Sequence, residues 1–365
     1  MDHTIDQVLK DLGKREIYIY GAGCWGNLFY QYCKKKGIPV GGYIVTAIGR
    51  QNISNGLAVV SLDDYIKAEK NGQIVICMMY SQEVEELLKK KQIQDAHSLK
   101  VEELLSISKE LGRELLPVGN GTSRTLKLKD KKFINPFSVD DDYYWEYFME
   151  LIDVVLPSEF GTMDYINEGP YEFESVQLEP GDTVFDLGAC MGVFSQLAWN
   201  KGCNVYAFEP SPRNFQYLSL MEPEYGTERM HLVQTGLADY TGTHEFFTGG
   251  ATVGYDGFRQ HADLKEKIDI TVTTIDEFVQ KNQISKVDFI KSNIEGAERM
   301  MLLGAKNTLI NYEPKISMRT NHYPDDCEVL EHLITSINSN YIVKHSWKNL
   351  YAWVPDRKQG GRQDG

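Results

Sequence analysis

Short apolar runs bounded by glycine alternate with longer stretches whose apolar residues recur at helical spacing. Thr183-Val184-Phe185 follows the turn Pro180-Gly181-Asp182 and runs into Asp186-Leu187-Gly188-Ala189-Cys190-Met191-Gly192. Val193 to Asn200 then reads as a helix, and Val205-Tyr206-Ala207-Phe208 as a second strand ending on Glu209. Further strands are predicted at His231 to Gln234, Val287 to Lys291 and Lys315 to Met318. Tyr341 to His345 and Leu350 to Val354 read as a closing antiparallel pair. Gly242 to Phe247 and Asp269 to Thr273 read as a β insertion around the glycine-rich loop Gly249 to Gly257. Strands alternating with helices predict a mostly parallel sheet.

The first hundred residues show the same alternation. Glu16 to Tyr20 is a strand, Gly21-Ala22-Gly23-Cys24-Trp25-Gly26 a glycine turn, and a helix runs on to Lys36. Strands follow at Pro39 to Val45, Leu57 to Val60 and Ile74 to Met78, and a helix at Gln82 to Lys91. The expected fold class is therefore α/β with two Rossmann-like domains. The boundaries read as 1–100 for the first, 101–164 for a helical and irregular connector, 165–356 for the second, and 357–365 for a disordered tail. In the connector Val101 to Leu111 reads as a helix and Thr125 to Leu128 as a short strand. Asp140 to Leu156 is an aromatic-rich helix (Tyr143, Tyr144, Trp145, Tyr147, Phe148), and such a stripe is more often core than platform.

Composition narrows the function. The 365 residues carry 38 basic against 52 acidic side chains, formally −14, which argues against nucleic-acid binding. No apolar run spans a bilayer, and the start has no signal-peptide core. Cys24, Cys33, Cys77, Cys190, Cys203 and Cys327 form no C-x-x-C pair, so free thiols in a cytoplasmic protein are expected, with no metal site.

Two glycine loops compete for a cofactor. Gly21, Gly23 and Gly26 form a complete G-x-G-x-x-G, yet Ile44-Val45-Thr46 stands where a ribose-binding acid belongs. A nucleotide or nucleotide-sugar at Gly21 to Gly26 weighs no more than simple packing of helix on strand. A dinucleotide-dependent oxidoreductase is disfavoured on that ground. The second loop keeps only Gly188 and Gly192, but Asp186 precedes it and Glu209 ends the next strand. That order suits S-adenosyl-L-methionine, which has no phosphate. Asp186 can attract its cationic part, Gly188 lets backbone approach it, and Glu209 can accept from both ribose hydroxyls.

Several pieces in order carry a family resemblance: Glu168-Gly169-Pro170-Tyr171-Glu172, Gly181 to Ala189, Ala207-Phe208-Glu209-Pro210-Ser211-Pro212, Thr274 to Phe278, and Val287 to Glu298. Residues from about Tyr165 to Val354 resemble the FkbM family of S-adenosylmethionine-dependent methyltransferases. The N-terminal unit resembles a Rossmann-like domain that often precedes them. The resemblance implies a class I methyltransferase sheet and O-methyl transfer to a hydroxyl of a glycan, nucleotide-sugar or secondary metabolite. It implies a cofactor site formed by Asp186, Gly188, Ala189, Gly192, Glu209, Pro210, Asp239 and Tyr171, with Asp239 on the adenine amino group.

One position departs from the family pattern K-x-D-I-E-G-A-E: Asn293 replaces the acid. Asparagine takes up no proton at neutral pH, though its carbonyl can orient a hydroxyl. His322, at the end of the fifth strand and with an ordinary pKa near neutrality, becomes the candidate base, weighed equally against a substrate-orienting role. Glu295 is the carboxylate expected to reach the cleft, with Glu298 as a helix-dipole partner and Lys291 as a buried counter-ion. Asn293 also keeps open an inactive cofactor-binding protein with a scaffolding or sensing role.

Overall fold

A computed structural model describes residues 16–46, 48, 53–54, 56–70, 72–78, 81–100, most of 102–111, 125–128, 131–135, five positions within 147–155, 169–250, 253–260 and 264–355. The chain divides into two compact units. One comprises Met1–Val118 and Val139–Asn167, the other Gly119–Ser138 and Glu168–Gly365. The connector expected over 101–164 is thus divided between them. Of its aromatic stretch, Tyr143, Tyr144, Trp145 and Phe148 lie outside the described residues, as does the tail from 356. Tyr147, Leu151, Val154 and Val155 are buried at helical spacing, as core residues are.

The first unit holds β1 (Ile17–Tyr20), α1 (Cys24–Lys36), β2 (Val40–Val45), β3 (Ile53–Ser54), β4 (Leu57–Ser61), α2 (Leu62–Lys67), β5 (Gln73–Ile76), α3 (Gln82–Lys90) and β6 (Ala96–Ser98). The sheet runs β3-β4-β2-β1-β5-β6, parallel except for β3. All four residues of β1 are buried, as a strand covered on both faces must be. The side chain of Ser61 accepts the Asp64 N–H and caps α2.

The second unit begins with the hairpin β7 (Thr125–Leu128) and β8 (Lys131–Ile134). Then follow β9 (Thr183–Leu187), α4 (Val193–Asn200), β10 (Asn204–Phe208), α5 (Pro212–Ser219), α6 (Glu222–Tyr225), β11 (Met230–Val233), β12 (Gly236–Leu237), β13 (Gly242–Thr248), β14 (Glu266–Thr273) and α7 (Ile275–Lys281). The unit closes with β15 (Phe289–Ser292), α8 (Glu298–Leu303), α9 (Lys306–Asn311), β16 (Lys315–Arg319), α10 (Asp326–Ile337), β17 (Ile342–Ser346) and β18 (Asn349–Trp353).

Its main sheet runs β11-β10-β9-β15-β16-β18-β17. β18 pairs antiparallel with both β16 and β17, and forms the closing pair with β17. β12, β13 and β14 form the separate insertion sheet. Phe185, Leu187, Ile290, Ile316 and Met318 of the central strands pack under α7 to α10 through Ile275, Met301, Leu309 and Leu330. The chain moves outward from β9 to β11, then returns to the other side of β9 as β15. That reversal opens a crevice beyond the ends of β9 and β15, where open α/β sheets bind ligands.

Candidate active site

Glu209 ends β10 beside the glycine loop of β9. Gly188 and Ala189 both donate their N–H to the Phe208 carbonyl, at 3.0 and 2.9 Å. One oxygen of Glu209 accepts the Cys190 N–H at 2.8 Å, and the other the Ser211 N–H at 2.8 Å. Pro210, half-buried between Glu209 and Ser211, has no N–H to offer. Burial pushes the Glu209 pKa up to about 7, against the pull of these two backbone donors. Each oxygen keeps acceptor capacity, so the carboxylate is placed to take two further hydroxyl donors.

The two glycines are required for reasons the sequence did not show. Gly188 has φ +73°, and a Cβ there would lie 2.0 Å from the Asn293 carbonyl oxygen. Gly192 has φ +78°, and its Cβ would lie 2.3 Å from Met221 Cε. At both positions the missing side chain makes room for neighbouring protein atoms. The Ala189 side chain is buried in the same turn.

Asp186 does not offer its charge to the crevice. It is fully buried, 2.8 Å from Lys291 Nζ, and accepts from Ser195 Oγ at 2.6 Å. Lys291 also donates to the Gly188 carbonyl at 2.8 Å. The expected attraction for a ligand cation is therefore replaced by an internal ion pair that shapes the loop. Strand register extends this row to Ser317 and Tyr351. Tyr171 covers it: its ring centroid lies 5.1 Å from Lys291 Nζ and 4.4 Å from the Arg319 guanidinium. Its ring is 3% exposed, which places it on these cations. Tyr351 and Asn349 hold the preceding turn through the Pro170 carbonyl. Glu168 lies outside the described residues.

Beyond β15 the backbone turns sharply. Glu295 and Gly296 both have positive φ, +51° and +97°. Glu298, buried at the start of α8, accepts the N–H groups of Ile294 at 2.9 Å and Gly296 at 3.0 Å. His322 sits between the two acids, with Nδ1 3.3 Å from Glu298 and Nε2 3.4 Å from Glu295. Burial opposes its charge, but the two carboxylates outweigh burial and push its pKa up to about 10. That direction favours the imidazolium over the free base that the sequence suggested for His322. Asn293 is half-buried beside Gly188, and its side-chain amide has no hydrogen-bond partner among the described residues.

The insertion crosses this rim. Asp256 accepts from Ser211 Oγ at 2.6 Å and Thr248 Oγ1 at 2.7 Å, and pairs with Arg213 at 2.7 Å. A Cβ on Gly257 would lie 2.6 Å from that of Glu295. Arg259 donates to the His322 carbonyl, and its guanidinium lies 5.2 Å from the Tyr323 ring. Residues 256–259 thus link the Glu209 loop to the His322 loop, a role no sequence signal marked. Asp239, by contrast, is exposed in the turn between β12 and β13, in the insertion sheet. His231 stacks on Tyr206, and His345 pairs with Glu331.

In the first unit a Cβ on Gly26 would lie 1.8 Å from the Gly21 carbonyl oxygen. The Tyr20 hydroxyl lies 2.9 Å from Thr46 Oγ1, just where a ribose acceptor was missing. Close packing accounts for these two glycines without a ligand. Among the described residues no cluster of three acids, histidines or cysteines could hold a metal, and no helix is long and apolar enough to cross a membrane. Cys33, Cys77, Cys190, Cys203 and Cys327 are free thiols.

The chain is similar to several known proteins. Residues 186–345 match the methyltransferase FkbM domain. The 31-O-demethyl-FK506 methyltransferase FkbM of Streptomyces tacrolimicus is 26% identical over 193 residues, covering 40% of this chain and 73% of that protein. The crystal structure of methyltransferase FkbM from Methylobacillus flagellatus KT superposes with a TM-score of 0.42 at 16% identity, over 97% of this chain and 94% of that one. Aeropyrum pernix fibrillarin in complex with natively bound S-adenosyl-L-methionine gives a TM-score of 0.33 at 11% identity, over 66% of this chain and 86% of that one. The second unit is a methyltransferase domain.

Proposed function

We propose that the protein is an S-adenosyl-L-methionine-dependent O-methyltransferase acting on a hydroxyl of a glycan, nucleotide-sugar or secondary-metabolite acceptor. The observation that carries this reading is Glu209, a buried carboxylate at the end of β10 with acceptor capacity left on both oxygens. A vicinal diol is the donor pair that matches it. When bound, S-adenosyl-L-methionine supplies a methyl group activated by a sulfonium. Glu209 would hold its ribose, and the loop Gly188–Gly192 would form the wall beside it. Asp186 serves this site indirectly, by fixing Lys291 against the loop carbonyls.

On the acceptor side, the unpartnered amide of Asn293 can orient a hydroxyl as donor and as acceptor. Glu295 is a half-buried acid in the turn after β15, with positive φ, and His322 lies 3.4 Å from it. We assign proton acceptance from the hydroxyl to Glu295, with His322 as its positioning cation. A panel of glycan and nucleotide-sugar acceptors with methyl-labelled cofactor tests this. Labelled product in one member supports it; cofactor binding with no transfer to any member favours the scaffolding or sensing alternative that Asn293 raises. Titration of the first unit's tryptophan fluorescence with nucleotides tests the loop Gly21 to Gly26 separately.

A further inference from the structure

Among the described residues, several rim cations are paired with acids. Lys291 pairs with Asp186, Arg213 with Asp256, Arg299 with Asp325 and Asp326, and His322 with Glu295 and Glu298. Arg259 has no carboxylate partner among the described residues. It is nevertheless held in place. One terminal nitrogen donates to the His322 carbonyl, and its guanidinium lies over the Tyr323 ring. Two residues earlier, Gly257 is packed against Glu295, and Asp256 anchors the segment through Ser211, Thr248 and Arg213. The cation is thus fixed on the segment that packs against Glu295, the acid assigned to the acceptor, in a chain with 52 acidic against 38 basic side chains.

A guanidinium carries five N–H donors, and the His322 carbonyl takes one edge. The remaining edge is a planar fork that fits a carboxylate or phosphate through two parallel bonds. We propose that Arg259 selects the acceptor by binding an oxyanion, carboxylate or phosphate, that the acceptor carries near its reacting hydroxyl. This rests on the acceptor cleft proposed above and narrows its substrate class to anionic hydroxyl compounds.

The test follows the side-chain Nε–H resonance of Arg259 in the full chain, assigned by its loss in Arg259→Lys. Inorganic phosphate and acetate are titrated into the free protein and into the protein with S-adenosylhomocysteine. A saturable shift of that resonance is expected. A shift with phosphate alone identifies a phosphorylated acceptor, and a shift with acetate a carboxylated one. If neither anion moves it beyond the drift of the other arginine resonances, the proposal is overturned, whatever the cofactor result. Failure of S-adenosylhomocysteine to bind counts separately, against the cofactor reading. On any acceptor turned over, Arg259→Ala should lose at least about tenfold in kcat/KM with cofactor affinity unchanged, and Arg259→Lys should fall between. An unchanged kcat/KM in Arg259→Ala, or an acceptor set confined to neutral compounds, contradicts it.

Discussion

The Asn293 carbonyl oxygen stands 2.0 Å from where the Cβ of any side chain at 188 would be. Gly188→Ala therefore meets both a positive φ and a backbone atom that cannot move aside. Gly181 also has positive φ, +88°, but nothing lies within 4 Å of its Cβ position. Gly181→Ala should cost only the left-handed strain, about 1–2 kcal/mol. Gly188→Ala should cost clearly more and should also weaken cofactor binding. Denaturant midpoints for the two variants check this; equal losses would contradict the close approach.

Lys291 and Asp186 are each sealed from solvent, so removing one strands the other as a buried charge. Lys291→Met should destabilise the protein by about 3–5 kcal/mol. Adding Asp186→Asn to that variant should recover part of the loss, because the stranded charge is then gone. Chemical denaturation of the single and double variants measures it, and no recovery in the double would refute the pairing.

Much of this architecture was legible before the coordinates. The strands around Val184, Val205, Phe289 and Ile316 are apolar runs bounded by turn residues, and period and punctuation suffice for such elements. β3 and β6 escaped because two and three residues carry no period. At the site, the place of Glu209 at a strand end beside the glycine loop was legible, because strand period and the following proline mark it. The pairing of Asp186 with Lys291 was not legible, because the two lie more than a hundred positions apart and become neighbours only through strand register. The surroundings of His322 were hidden for a related reason. Its ordinary pKa is a property of the isolated side chain, and two acids from another loop reset it. The anchoring of Asp256 and Arg259 was not legible, because Ser211, Thr248 and the His322 carbonyl become their partners only in the fold.

The raised pKa of His322 sets a direction for stability. The folded value, about 10, lies above the ordinary 6.5. Its contribution is therefore fully present below about pH 6.5 and is lost as pH rises through about 10. Wild-type stability should fall between pH 7 and 10 by more than that of His322→Asn. Denaturation midpoints at three pH values test this, and parallel curves would show that His322 is not charged in the fold.

Glu209 gives a different signature. Burial holds its pKa near 7, above the ordinary 4.5, so in the free protein its ionisation opposes folding as pH rises through about 7. A diol donates to the ionised form and favours it. Affinity for S-adenosylhomocysteine should therefore rise from pH 6 to pH 8 and then level off. In Glu209→Gln this dependence should vanish. A wild-type affinity that is flat across that interval would contradict the ionised acceptor.

The central claim is that the carboxylate of Glu209 grips the ribose of the cofactor. Isothermal titration with S-adenosylhomocysteine tests it most directly, on the wild type and on Glu209→Ala, with circular dichroism to confirm that the variant is folded. The account predicts micromolar binding to the wild type and none measurable to the variant. Equal affinity in the two proteins, or no binding to the wild type, would contradict it.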